Sequence, residues 1–288
     1  MTDIRIGVIG GSGLYSMSGL KVHEERRIAT PFGDPSDPFV IGELEGKGVA
    51  FLARHGRGHR ILPSELNFRA NIFGFKTLGV ERLISVSAVG SMKIEYAPTD
   101  IVVPDQFYDR THRRADTFFG DGLVAHVSVA DPVCPHLFSV FGEAARGAGA
   151  KVHMGGTYLC MEGPQFSTKA ESRIHRSWGV DVIGMTNLQE AKLAREAEIC
   201  YASLSMVTDY DCWHESEEAV SGEAVMQVIQ QNSAMAQEVV RRAVQGLGGG
   251  TRSCPCASAL AHSLITERSL VPAATIEKLH PIIGKYYS

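Results

Sequence analysis

No apolar run in the 288 residues approaches the ~18 that a membrane-spanning helix needs, so the sequence carries no candidate span. Runs of basic residues are missing too. With 28 basic and 32 acidic side chains, a net charge of −4 and a pI near 6.3, the chain lacks the electrostatic footprint of a nucleic-acid surface. There is no internal repeat and no low-complexity linker. The N-terminus "MTDIRIGVIGGSG" adopts a strand pattern at once and leaves no room for a signal peptide. The expectation is therefore a soluble, cytoplasmic protein. Cysteine is sparse and scattered: Cys134, Cys160, Cys200 and Cys212 stand singly in apolar or periodic segments, the habit of small buried hydrophobes. Cys254-Pro255-Cys256 has no second cysteine pair or paired histidine at ligand spacing, so no metal is expected.

What is present is a 44% hydrophobic chain, long enough for a sizeable core, in which short apolar strands alternate with amphipathic helices. That alternation predicts an α/β layered fold. "IRIGVI" (4–9) reads as a first buried strand, and "FVIGEL" and "GVAFLAR" as a hairpin about "EGKG". A helix is expected from Ser64, closed by Gly79, and "RLISVSAVGS" (82–91) as a strand ending in small residues. "DIVVPDQF" opens a long irregular stretch. A helix within 136–149 and strands near 151–161 and 181–184 follow. Asn187-Leu-Gln-Glu190 looks like a capping box opening a helix over 188–197. From Ser221 the apolar spacing predicts a helix of about seven turns. Residues 1–250 read as one domain and 251–288 as its helical C-terminal extension.

Five features carry candidate chemistry. The loop Gly10-Gly11-Ser12-Gly13 after the first strand can cradle a phosphate with backbone N–H groups and the Ser12 hydroxyl, or be a plain tight turn. It matches neither the dinucleotide fingerprint nor the Walker pattern. Arg54 and His55 end a strand before a glycine turn, where two basic groups suit an oxyanion. His55 and His59 have i, i+4 spacing, but Gly56 and Gly58 spoil a helix and no zinc-binding motif results. Met185 and Thr186 precede a helix N-terminus, which favours anions, though Thr186 can equally be a cap. In "MEGPQFST", Gly-Pro forces a bend that exposes Glu162 and Phe166; Phe166 can stack on a flat ligand or be core. Finally, Asp209 and Asp211 in "VTDYDCWH" share a strand face if the strand persists that far, where a solvated strand end is the plainer alternative.

These segments, with "GGSGLY", "ARHGRGH", "PSELNFRANI", "VSAVGS", "DQFYDRT" and "MTNLQEAKLAREAEICYASLSMVTDYDCWH", occur in an order and at spacings that identify a family. The sequence resembles the trimeric purine nucleoside phosphorylases, and among them the branch acting on 5′-methylthioadenosine, over roughly residues 4–245. The resemblance implies a single-domain mixed β-sheet flanked by helices, a homotrimer or hexamer, no cofactor, and inorganic phosphate as co-substrate. It implies phosphate binding by Ser12, Arg54, His55, Ala88 through its backbone, and Thr186, with Ser87 nearby. It implies ribose contact by Met185, purine packing by Phe166, a methylthio pocket lined by Val225 and Met226, and His126 reaching a neighbouring subunit's site. Gln189 departs from the family pattern, as does Gly222, which would widen that pocket.

The acid pair selects the base. Adenine presents an N6 donor and an N7 acceptor, whereas a 6-oxopurine presents an acceptor that carboxylates repel. Family members acting on 6-oxopurines carry Asn here, so Asp209 and Asp211 favour a 6-aminopurine. One acid held protonated by its neighbour and by desolvation can protonate N7; Asp209, by the family match, is the expected general acid. The alternatives are a methylthioinosine or 6-oxopurine phosphorylase, a hydrolytic nucleosidase, and a non-catalytic nucleotide-binding module.

Overall fold

The computed structural model describes residues 3–11, 14, 17–214, 222–248, 250 and 252–287. Its scaffold is a sheet of eleven strands: β1 (Ile4–Gly10), β2 (Lys21–Arg26), β3 (Phe39–Leu44), β4 (Lys47–Ala53), β5 (Arg82–Ser91), β6 (Ile101–Val103), β7 (Gln106–Arg110), β8 (Val152–Met154), β9 (Thr157–Met161), β10 (Val182–Gly184) and β11 (Cys200–Asp209). Six helices flank it: α1 (Phe68–Thr77), α2 (Pro135–Gly147), α3 (Lys169–Ser177), α4 (Asn187–Glu196), α5 (Gly222–Gly246) and α6 (Ala273–Tyr287). The main path runs β2-β3-β4-β1-β5-β10-β9-β7, with β11 on the other edge of β5 and β6 and β8 beyond it. Parallel β1–β4, β1–β5 and β5–β11 pairs coexist with antiparallel β3–β4, β5–β10 and β6–β11 pairs, so the sheet is mixed as expected.

The long strand β5 creates the functional cleft. Its first half, Arg82 to Ser85, pairs with β1, and only its last residues, Gly90 and Ser91, pair with β10. Between them one edge of Val86–Val89 faces no strand, because β1 has already ended at Gly10. The strands flanking this gap deliver their ends to it, the placement by which open α/β sheets make ligand sites. Two apolar cores cover the sheet: α2 and α5 pack on one side, α1, α4 and α6 on the other.

Local chemistry explains most element boundaries. The β3–β4 hairpin turns at Glu45 and Gly46, both with positive φ (51° and 72°), the geometry that matches the twist of the flanking strands. The helix expected from Ser64 starts later. Pro63–Glu65 makes one 3₁₀ turn, and α1 begins at Phe68 because Asn67 caps it, its Oδ1 accepting from Ala70 N at 3.1 Å. The stretch expected to be irregular after Val103 contains β7, whose outward residues are polar and exposed and hide the strand pattern. The helix α3 was not expected; its signal was Thr168-Lys-Ala-Glu171, a capping box in which Thr168 Oγ1 accepts from Glu171 N at 3.2 Å. None of the helices among the described residues is long and apolar enough to cross a membrane.

Candidate active site

A cavity of about 440 Å³ opens at the gap beside β5. Its walls come from the ends of β1, β4, β5, β9, β10 and β11 and from one face of α5. Arg54, His55, Ser87, Ala88, Thr186, Met185, Phe166, Asp209, Asp211, Val225 and Met226, far apart in sequence, all line it. Ser12 lies outside the described residues, although Gly11 and Leu14 on either side line the cavity. His126 is exposed on a separate loop and does not reach this cavity within its own chain. Glu162 does not line it either: its carboxylate accepts from His112 N at 2.7 Å and from Arg114 Nε at 3.3 Å.

The basic side is built around a fully buried ion pair. Arg54 Nε donates to Glu190 Oε1 at 2.6 Å, Nη1 to the Val86 carbonyl at 2.8 Å, and Nη2 to Ser85 Oγ at 2.7 Å. Glu190 also accepts from Ser85 Oγ at 2.8 Å and from the Tyr201 hydroxyl at 3.0 Å. The carboxylate therefore does not cap α4 as the capping-box reading required. It turns into the core, and Thr186 takes the N-cap position with its hydroxyl on Asn187 Oδ1 at 3.1 Å. With most of Arg54's donors held by protein, its charge is locked in place at the cavity wall. Fixing a charge before a ligand arrives removes the cost of organising it later.

His55 sits on the turn that follows β4, where Gly56 (φ 67°), Gly58 (φ 82°) and His59 (φ 55°) reverse the chain. Its ring stacks on His59 at 4.3 Å, and its Nδ1 lies 2.9 Å from the Ile61 carbonyl. A carbonyl only accepts, so Nδ1 carries the proton and Nε2 presents a lone pair. Burial, reinforced by the Arg54 charge, pushes the His55 pKa down to about 4. At neutral pH the ring is uncharged. Ser87 Oγ is buried and has no hydrogen-bond partner among the described residues, leaving a hydroxyl at the cavity wall.

The acidic side differs from its sequence-based picture in one respect. β11 ends at Asp209, a register irregularity separates Val207 from Asp209, and Asp211 lies in the following turn with φ 50°. The two acids are thus not consecutive members of one strand face. The turn nevertheless aims both at the cavity. Asp209 Oδ1 accepts from Asp211 N at 2.7 Å, and Asp209 Oδ2 from Thr208 Oγ1 at 2.7 Å. Gly90 underlies the pair: a Cβ there would stand 3.0 Å from Asp209 Oδ1 and 3.5 Å from Asp211 Cβ. Burial raises the Asp211 pKa above the ordinary carboxylate range, and the Ser172 and Ser167 hydroxyls and the Cys212 amide offset this only in part.

Two supporting residues escaped the sequence reading. Arg114, in the stretch read as irregular, donates to the Glu162 carbonyl at 2.6 Å, to Gln189 Oε1 at 3.1 Å and to the Met185 carbonyl. It joins the loop that carries Phe166 to the residue expected at the ribose. Gln189, the unexplained departure, is its partner and also donates to Thr111 Oγ1 at 2.9 Å. Gly163 (φ 66°) completes the junction, since a Cβ there would meet Met185 Sδ at 2.6 Å.

Residues 5–245 match the phosphorylase superfamily. An S-methyl-5′-thioadenosine phosphorylase of Koribacter versatilis is 62% identical over 98% of this chain and 96% of its own length, and that of Geobacter sulfurreducens is 60% identical over 98% of both. Among solved structures, a methylthioadenosine phosphorylase from an Antarctic soil metagenomic library superposes with a TM-score of 0.93 at 48% identity, covering 98% of this chain and 99% of that one. A variant of the adenosine/methylthioadenosine phosphorylase of Schistosoma mansoni, in complex with methylthioadenosine, gives a TM-score of 0.82 at 34% identity over 86% of this chain and 93% of that one. By the match across residues 5–245 and the near full-length relatives, the chain belongs to the phosphorylase superfamily.

Proposed function

We propose that the chain catalyses phosphate-dependent cleavage of S-methyl-5′-thioadenosine to adenine and 5-methylthioribose 1-phosphate. The observation that carries this reading is a single cavity joining a fixed basic wall, Arg54 and His55, to the acid pair Asp209 and Asp211. The names of its relatives support the substrate.

Phosphate would lie against Arg54, Ser87, the Ala88 backbone and Thr186, with Ser12 as a further donor. Neutral His55 offers Nε2 to the remaining P–OH, accepting its hydrogen bond and leaving the other oxygens to the donors around them. As the glycosidic bond lengthens, positive charge grows on the ribose and negative charge on the purine. The anchored phosphate stabilises the first and then bonds to the anomeric carbon. The leaving purine takes a proton or hydrogen bond at N7, for which we assign Asp209, while Asp211 accepts from the 6-amino group or shares the proton. Val225, Met226 and Ile229 on α5 give the apolar surface that a methylthio group requires and a 5′-hydroxyl does not.

We further propose a homotrimer, singly or paired as a hexamer, in which exposed His126 completes a neighbour's site. Mass measurement of the native assembly checks this, and a fully active monomer would exclude it. For the reaction, the chain is incubated with methylthioadenosine with and without phosphate, and products are separated by chromatography. Adenine release that ignores phosphate overturns the phosphorylase reading. Equal turnover of methylthioadenosine, adenosine and inosine overturns the assigned specificity.

A further inference from the structure

Four of the six cysteines converge on one point. Cys134, Cys200, Cys254 and Cys256 come from three separate segments, and their sulfurs all lie within 4.8 Å of one another. Cys134 is the N-cap of α2, Cys200 opens β11, and Cys254 and Cys256 bracket Pro255 at the start of a short 3₁₀ turn. Cys134, Cys200 and Cys256 are 1–2% exposed, and Cys254 is partly buried against the same apolar core. Spacing along the chain pointed away from a metal because it registered only the Cys254–Cys256 pair. The fold supplies the other two.

We propose that these four cysteines form a closed tetrathiolate site for a soft divalent cation, zinc by preference. Three observations support it. In tetrahedral zinc–thiolate geometry, with Zn–S near 2.3 Å, neighbouring sulfurs stand roughly 3.8 Å apart, the spacing scale of this cluster. Cys200 and Cys254 stand 3.3 Å apart, far longer than the ~2.05 Å of a disulfide, and all six cysteines are free. Cationic and dipolar donors also surround the sulfurs. Arg195 Nη1 reaches Cys256 Sγ at 3.8 Å, Arg252 Nη1 reaches Cys200 Sγ at 4.0 Å, and the Leu137 amide at the start of α2 points to Cys134. Buried small hydrophobes need no guanidinium groups, whereas a doubly negative tetrathiolate does, and such outer contacts tune metal sites. Four protein ligands leave no open position, so the site is structural. Loading converts four thiols to thiolates and releases their four protons to solvent, with no electron transfer.

The site would rivet the C-terminal segment to the sheet. Just beyond it, the Ser263 carbonyl accepts from His126 N at 2.8 Å, and Ile265 N donates to the Val124 carbonyl at 2.9 Å. The metal would thereby anchor the segment that holds the His126 loop, whatever reaction the cavity performs.

The test uses the full chain purified without chelator. Elemental analysis is expected to find one zinc per chain, and the intact mass to be that of the fully reduced polypeptide. Replacement by Co²⁺ alone is expected to give thiolate-to-cobalt charge-transfer bands with tetrahedral ligand-field bands. The Cys254→Ser/Cys256→Ser double variant loses both signals, and chelator lowers the melting temperature of the parent but not of the variant. A metal-free chain lighter by two hydrogens per disulfide overturns the proposal. So does a metal-free chain with all six thiols free and no cobalt charge-transfer band.

Discussion

Glu190 and Asp211 are carboxylates buried to nearly the same degree, 0% and 6% exposed, on the basic and acidic sides of one cavity. Glu190 meets a guanidinium and two hydroxyls and stands behind Arg54, out of the cavity. Asp211 lines the cavity, has a buried Oδ2 with no hydrogen-bond partner among the described residues, and has its pKa raised by burial. The same side chain is thus used once to pin a guanidinium and once to face the cavity with its pKa raised by burial. Geometry around the carboxylate, rather than burial, decides which.

The comparison breaks most visibly at Asp209, which shares the acidic side. Asp209→Asn is expected to lower kcat on methylthioadenosine on the order of 10²–10⁴-fold and to shift preference toward the 6-oxo analogue. Steady-state kinetics on the two nucleosides read this, and an unchanged ratio removes Asp209 from its assigned role. Next comes one isosteric change made on both buried acids. Glu190→Gln leaves Arg54 buried with its charge uncompensated and should cost about 3–5 kcal/mol. Thermal melting is expected to show a fall of roughly 10 °C. Phosphate KM should rise as well, because the guanidinium loses its anchor.

His55 gives the basic side a pH signature. Its pKa in the fold, about 4, lies below the unfolded value of 6.5, so folding favours the uncharged ring. That contribution is complete above pH 6.5 and is lost as pH falls from 6.5 through 4, with a slope of up to about 1.4 kcal/mol per pH unit. Denaturant unfolding across this window should show a pH slope less positive in His55→Gln than in the parent, the difference being the His55 contribution, since His59, His175 and Glu196 also titrate there. Asp211→Asn, by contrast, removes a carboxyl whose pKa burial raises and puts a neutral isostere in its place. The sign is opposite to that of His55. A raised carboxyl contributes stability at low pH and loses it as pH rises through its folded pKa. The variant should therefore gain on the parent as pH increases, and a variant that loses ground instead places Asp211 in an ion pair.

Much of this was legible in the sequence; α3 and β7 were missed for local reasons, and the failures at the site share one cause. Strands β1, β5 and β11 are largely buried runs of apolar and small residues, and Arg54, Thr186 and Asp209 stand at or just past strand ends, so the central strands and much of the cavity's wall could be read directly. What could not be read was direction. Glu190 sits at the correct offset for a capping box and is diverted by an arginine 136 residues earlier. Arg114 lies amid other arginines in a stretch with no period, and only the fold shows that its guanidinium ties residues 160–162 to residues 185–189. The four cysteines look like isolated hydrophobes because their convergence depends on the tail returning to the start of β11. Each is a long-range pairing of side chains that periodicity does not encode.

A modest effect on binding sharpens what the acidic side reads. Phe166 lines the cavity while remaining 43% exposed, so its ring has a free face for a flat ligand. Base–aromatic stacking is worth about 1–3 kcal/mol on truncation to alanine, and leucine keeps part of that contact. Phe166→Leu should therefore raise KM roughly 5- to 10-fold and leave kcat nearly unchanged. Every purine presents a π face, so the rise should be the same for the 6-amino and 6-oxo nucleosides. That uniformity separates it from Asp209→Asn, whose effect depends on the base. A KM change confined to one base would mean that Phe166 shapes the acid pair rather than stacking, and an unchanged KM would remove it from the binding surface.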